Sequence, residues 1–161
     1  MARVYTKIGD FFSARLAGGS KKYFQFIASD LTQLNSDVIR VFKKQYPIED
    51  KPDLSKITQG DIEFYAHCVI KLGVKLGYWE KVGYLSQIGN TEKIIFRSST
   101  DDRRTESSSN WWIWKIGEDQ RYVGKLTGMY KEAEIGSVIA PDSILHRMKT
   151  GEYDFVYASI E

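Results

Sequence analysis

Cysteine is almost absent from this chain of 161 residues: Cys68 stands alone, so no disulfide can form within it. A lone thiol suits a reducing compartment. No apolar run approaches the roughly 20 residues of a membrane-crossing helix. Residues 1–6 carry no apolar run of signal-peptide length, so the expectation is a soluble, cytoplasmic chain without a membrane partner. Charge of one sign is lacking too. Lys and Arg total 23 against 21 Asp and Glu, a net +2, which argues against a nucleic-acid binder working through a basic stripe. The longest basic runs are pairs, Lys21-Lys22, Lys43-Lys44 and Arg103-Arg104, and such pairs read as solvated surface. No Gly-rich loop runs into Lys and Ser or Thr, and no Gly-x-Ser-x-Gly elbow occurs, so neither a phosphate-binding loop nor a hydrolase nucleophile is signalled. Two histidines and one cysteine are too few for a zinc site. No cofactor is expected.

What the chain does hold is apolar and aromatic. A hydrophobic fraction of 42% at this length builds one core without a metal or disulfide staple, so residues 1–161 are expected to form a single domain. Aromatics make up 14%, which favours strands, where such side chains pack on a pleated surface. Residues 8–16 alternate, with Phe12, Ala14 and Leu16 on one face, and lead through Gly18-Gly19 into a second alternating run at 22–28 with Phe24, Phe26 and Ala28 together. A turn near 34–36 and a β-branched strand at 38–44 follow. Residues 53–57 suit one helical turn, and 61–70 a half-buried strand with Ile62, Phe64, Ala66, Cys68 and Ile70 inward. Gly73, Gly77 and Gly83 argue against a long helix, and Glu80-Lys81-Val82 begins another strand. Further strands are expected at 93–97, 110–116, 121–127, 135–139 and 153–160. Residues 98–109 hold no apolar side chain and suit a mobile loop. Pro141-Asp142-Ser143 opens a helix that Gly151 stops. The sum is an α+β fold: a strongly bent antiparallel sheet or half-open barrel of about eight strands, with a C-terminal helix packed on it.

Candidate chemistry is sparse. His67 and Cys68 are neighbours on a strand and point to opposite faces, so they make no nucleophile–base pair, and Cys68 joins the apolar row. Asp61 and Glu63 share a strand face and offer the pair of carboxylates that a small hydrolase would use. The aromatics are the stronger lead. Trp112, Trp114 and Ile116 occupy one strand face, Trp111 and Ile113 the other. If the first row fills the core, Trp111 looks outward, with Tyr122 on the returning strand and Trp79 as neighbours; the alternative is that the helix covers this second face. Exposed Trp and Tyr are frequent binding hot spots. Trp111, Tyr122 and Trp79 are therefore the expected partner-binding anchors, with Asp102, Arg103 and Arg104 on a loop at their rim. A barrel module that stacks nucleic-acid bases on its aromatics is a further alternative.

Three landmarks carry a family likeness: Ile8-Gly9-Asp10-Phe11-Phe12 with its Gly-Gly hairpin, Gly77-Tyr78-Trp79-Glu80-Lys81-Val82-Gly83, and the helix from Ile144 to Gly151 before a final strand. In these the chain resembles the immunity protein 26 family of bacterial polymorphic toxin systems. The resemblance implies an α+β protein without catalytic residues that neutralises a cognate toxin in the cytoplasm by binding it, and it places the family's Gly and Trp on Gly77 and Trp79.

Overall fold

The computed structural model describes residues 3–101 and 107–160. Strands Asp10–Leu16 (β1), Ser20–Asp30 (β2), Ser36–Phe42 (β3) and Tyr46–Pro47 (β4) precede a one-turn helix, Leu54–Ile57 (α1). Strand Ile62–Cys68 (β5), helix Ile70–Lys75 (α2) and strand Trp79–Tyr84 (β6) follow. Next come Phe96–Ser99 (β7), Ser107–Ser108 (β8), Trp111–Trp114 (β9), Arg121–Gly124 (β10), Glu134–Ile135 (β11) and Val138–Ile139 (β12). Helix Pro141–Thr150 (α3) and strand Ser159–Ile160 (β13) end the chain.

The strands of the first half, joined by β12 from the second, build a large sheet in the order β12-β5-β3-β2-β1-β6, with β4 pairing β2; β7, β9, β10 and β11 build a smaller one, β10-β9-β7-β11. All neighbours in the large sheet are antiparallel except β12 on β5, and β11 lies parallel to β7 in the small one. The α+β expectation holds: the protein is rich in strands, α3 packs on the sheet, and the sheet does not close into a barrel.

The large sheet is covered on both faces, and β1 to β3 are buried almost throughout. On one face Phe12, Phe24, Ile39, Val41, Phe64 and Cys68 meet Ile144, Leu145 and Met148 of α3. Phe12 stacks on Phe24 across the strand pair at 5.1 Å. The other face carries two patches: Phe11, Tyr23 and Phe42 against Ile57, and Ile27 and Val38 against Phe96 and Trp114 of the small sheet. A bulge between Phe26 and Ala28 breaks the alternation expected there. It turns Ala28 away from Phe26 and onto the small-sheet side.

The turns show the same local logic with one exception. Gly18 and Gly19 make the β1–β2 turn with φ of 78° and 75°, the conformation that Gly-Gly favours. The turn between β2 and β3 also needs positive φ, and it is taken by Leu34 at 58° and Asn35 at 50°. Asn tolerates this region, whereas a leucine there costs about 1–2 kcal/mol.

Three expected strands are corrected. The one at 135–139 divides: Glu134–Ile135 joins the small sheet and Val138–Ile139 the large one. The strand at 93–97 starts later, at Phe96, because a 3₁₀ turn at Thr91–Lys93 is capped by Asn90, whose Oδ1 accepts from the Glu92 N–H at 3.1 Å. The strand at 153–160 shrinks to Ser159–Ile160. Tyr153, Phe155 and Tyr157 alternate as in a strand, but their rings pack on one another, Tyr153 stacked on Phe155 at 4.9 Å and Phe155 edge-on to Tyr157 at 6.4 Å, with no ladder partner among the described residues. The serine-rich 98–109 segment is pinned at its described ends: Ser99 belongs to β7, and Ser107–Ser108 pairs with β13.

Glycine also sets a close approach. Trp79 donates its indole N–H to the Ile70 carbonyl at 3.0 Å and meets Phe24 edge-on at 5.0 Å, so the ring cannot shift. It lies so near Gly73 of α2 that a Cβ there would overlap the indole. Alanine usually stabilises a helix by about 1 kcal/mol over glycine. In Gly73→Ala the sign reverses: differential scanning calorimetry is expected to show a melting temperature lower by about 2–4 °C or more.

Candidate functional site

The expected aromatic patch does not assemble at the surface. Trp79 is buried beneath α2 in the main core. Trp111 is fully buried in a different cluster, with Ile113, Leu126 and Ala158. Its indole donates to the Ser108 carbonyl at 2.8 Å, and the Arg97 guanidinium lies 4.7 Å from the ring centre. What covers this face is not the helix but the C-terminal segment: Tyr157 lies 6.3 Å from Trp111, and Arg97 donates from Nη1 to the Ala158 carbonyl at 3.5 Å. Trp79 and Trp111 are therefore core residues and not anchors. Tyr122 is 52% exposed as expected, its hydroxyl donating to Asn110 Oδ1 at 3.0 Å. Its partner is Trp112, half-buried and edge-on at 5.3 Å. Asp102, Arg103 and Arg104 lie outside the described residues.

The carboxylate pair does not assemble either. Asp61 is exposed, while Glu63 accepts from Lys22 Nζ at 2.8 Å, and neither lines a cleft. Cys68 sits in the apolar core as expected, where burial first and the Asp37 charge second push its thiol well above the ordinary value.

A histidine–carboxylate pair exists where the alternation pattern had placed an outward side chain. His67 Nε2 lies 2.8 Å from Asp30 Oδ2, and both residues are fully buried between the two sheets. A carboxylate only accepts, so Nε2 carries the proton. Asp30 also takes the Trp114 indole N–H at 3.1 Å, the Gly117 N–H at 3.0 Å and the Thr32 backbone N–H at 3.3 Å. Burial alone would raise its pKa, but the hydrogen bonds from Gly117, His67, Trp114 and Thr32 outweigh it and hold the carboxyl below its usual range. Burial pushes His67 below its ordinary value, against the hydrogen bond and charge of Asp30. The imidazole is packed against Phe96 at 4.1 Å, and its Nδ1 has no partner among the described residues. Sealed from solvent and tied to Trp114 and Gly117, the pair pins one sheet to the other with a neutral imidazole and a carboxylate.

An open groove of about 920 Å³ lies where the small sheet meets the large one. Tyr65, Ile94, Ile113 and Trp114 contribute its apolar side, and Met129 and Tyr130 form a wall from the 3₁₀ turn Gly128–Glu132. Met129 is 69% exposed. Five carboxylates line the groove, those of Glu92, Glu118, Asp119, Glu132 and Glu134, against three cations, Lys93, Lys115 and Arg121. Glu134 is held in place, accepting from Arg147 at 3.1 Å through Oε1 and from the Tyr65 N–H at 3.0 Å through Oε2. Sequence reading missed both the groove and Asp30. The usable signal was local: Asp30 with Thr32 two residues on is a turn signature, and a turn tip brought against a second sheet can carry a buried carboxylate.

No family model, no curated protein and no solved structure matches the chain.

Two outcomes follow from the burial. Trp111→Ala should destabilise the protein by about 3–5 kcal/mol in urea unfolding, the cost of an emptied aromatic site. His67 makes stability depend on pH. Below about pH 6.5 the unfolded chain takes up a proton on this side chain that the folded state refuses. The urea midpoint should therefore be flat above pH 7 and fall as the pH drops through 6.5, and His67→Gln should remove that part of the slope.

Proposed function

We propose that this protein works by binding another protein, as a toxin-neutralising immunity protein does, and that its acidic groove receives a basic surface of a cognate toxin domain. The observation that carries the reading is the groove itself: an apolar side with an exposed methionine and a tyrosine, bordered by an excess of carboxylates on a chain whose net charge is +2. Apolar centres with charged rims are the anatomy of protein interfaces. Methionine adapts its shape to a partner, and tyrosine offers contact area at little entropic cost. The rim charges would steer a basic partner and set its register. Phosphate backbones would be repelled by the same carboxylates, which disfavours nucleic acid at this place. The likeness of the opening hairpin and of the Gly77 to Gly83 stretch to the immunity protein 26 family supports the same reading, in which the encounter is cytoplasmic.

Neutralisation by such a protein needs no chemistry of its own. An interface of about 1,600 Å² would cover a toxin's active site or hold it in an inactive shape. The test is to search the reading frames next to the gene for a polymorphic-toxin C-terminal domain and to titrate that purified domain calorimetrically; a neighbourhood without one would count against the reading. Met129→Asp and the double reversal Glu118→Lys with Glu132→Lys should each weaken binding about tenfold or more. Their melting temperatures should stay at the wild-type value, because these side chains lie at the surface. Raising salt should slow association of the wild type more than of the double reversal. Wild-type affinity in both variants would contradict the assignment of the groove.

A further inference from the structure

Asp30 and Ser36 close a five-residue tip between β2 and β3. Two leucines stand on it in the open, Leu31 at 76% and Leu34 at 85% exposure. Single exposed apolar residues are common and need no explanation. Here two further facts bear on them. Leu34 holds a left-handed backbone, φ 58°, which asparagine or glycine adopts more readily. The tip is also rigid: Thr32 donates to the Glu118 carbonyl at 2.6 Å, Gln33 Nε2 to the Gly136 carbonyl at 2.8 Å, and Asp30 beneath it binds Gly117. Two internal turns, Gln33 N–H to the Asp30 carbonyl and Ser36 N–H to the Gln33 carbonyl, both at 3.1 Å, complete it. Folding gains nothing from a solvated leucine in a strained turn, so another constraint must select it. Strain at rigid, exposed positions is a mark of binding elements.

We infer that Leu31 and Leu34 form a preorganised apolar knob that enters a pocket on the protein partner, next to the acidic groove. This rests on the proposed binding function and extends it. Continuity joins the two parts: Glu118, whose carbonyl fixes the tip through Thr32, also lines the groove, with Asp119 beside it. The pocket that fits is therefore apolar, with Lys or Arg on the edge facing Glu118 and Asp119. Fixing the knob in advance removes the ordering cost that a floppy loop would impose on binding.

The strained leucine makes the inference testable in two readouts at once. The 161-residue protein is compared with Leu34→Asn and Leu31→Ser, first by thermal melting alone, then by titration with the toxin domain found by that search. Leu34→Asn should raise the melting temperature by about 2–4 °C while weakening binding about tenfold or more; Leu31→Ser should weaken binding without lowering the melting temperature. A lower melting temperature in Leu34→Asn would show that the leucine serves the fold and would overturn the inference. Unchanged affinity in both leucine variants, with Met129→Asp still weakened, would overturn the knob and leave the groove standing. A wild-type protein without affinity for that domain would overturn the proposed function and the knob together.

Discussion

One buried carboxylate holds the two halves of this protein in register. Asp30 ends β2, the long strand of the large sheet, and gathers donors from both sides: the Thr32 N–H beside it, His67 from β5 two strands away, and Trp114 and Gly117 from the small sheet. An isolated carboxylate could not be buried there; four hydrogen bonds make it tolerable. Removing one partner of such a buried pair typically costs about 3–5 kcal/mol, because what remains is uncompensated. The apolar contacts among Ile27, Val38, Phe96 and Trp114 supply attraction between the sheets but little direction. The hydrogen bonds to Asp30 fix where the small sheet lands.

The surface follows from that placement. With Trp114 drawn to Asp30, β9 lies against β5, and the gap left between Tyr65, Ile94 and the Gly128–Glu132 turn is the groove. Gly117, bound to the same carboxylate, brings Glu118 to the hairpin tip, where its carbonyl receives Thr32. The leucine tip and the acidic rim are thus set by one anchor, and both would meet a partner as rigid elements.

The sequence read well wherever the forces were local. Alternation found β1, β2 and β5 of the large sheet, β-branched composition found β3, Gly18-Gly19 marked the first turn, and Pro141 and Gly151 bounded the last helix. It also put Cys68 in the core. It failed where burial depends on what arrives from elsewhere in the chain. His67 sits on the face of β5 that alternation assigned to solvent, and only the return of the small sheet buries it. Trp111 and Trp79 were expected as surface anchors because tryptophan on the second face of a strand has no local cover; Leu126 and the C-terminal segment cover Trp111, and α2 covers Trp79. The groove is a gap between two sheets, and no stretch of residues encodes a gap.

Hydrogen exchange followed by mass spectrometry, comparing the wild type with Asp30→Ala, tests this account most directly. If Asp30 fixes the small sheet on the large one, its loss should speed exchange across β9, β10 and the 117–120 turn. The β1–β2 hairpin, whose cover comes from α3 and α1, should keep its protection. Uniform loss of protection through both sheets, or none in the small one, would contradict it.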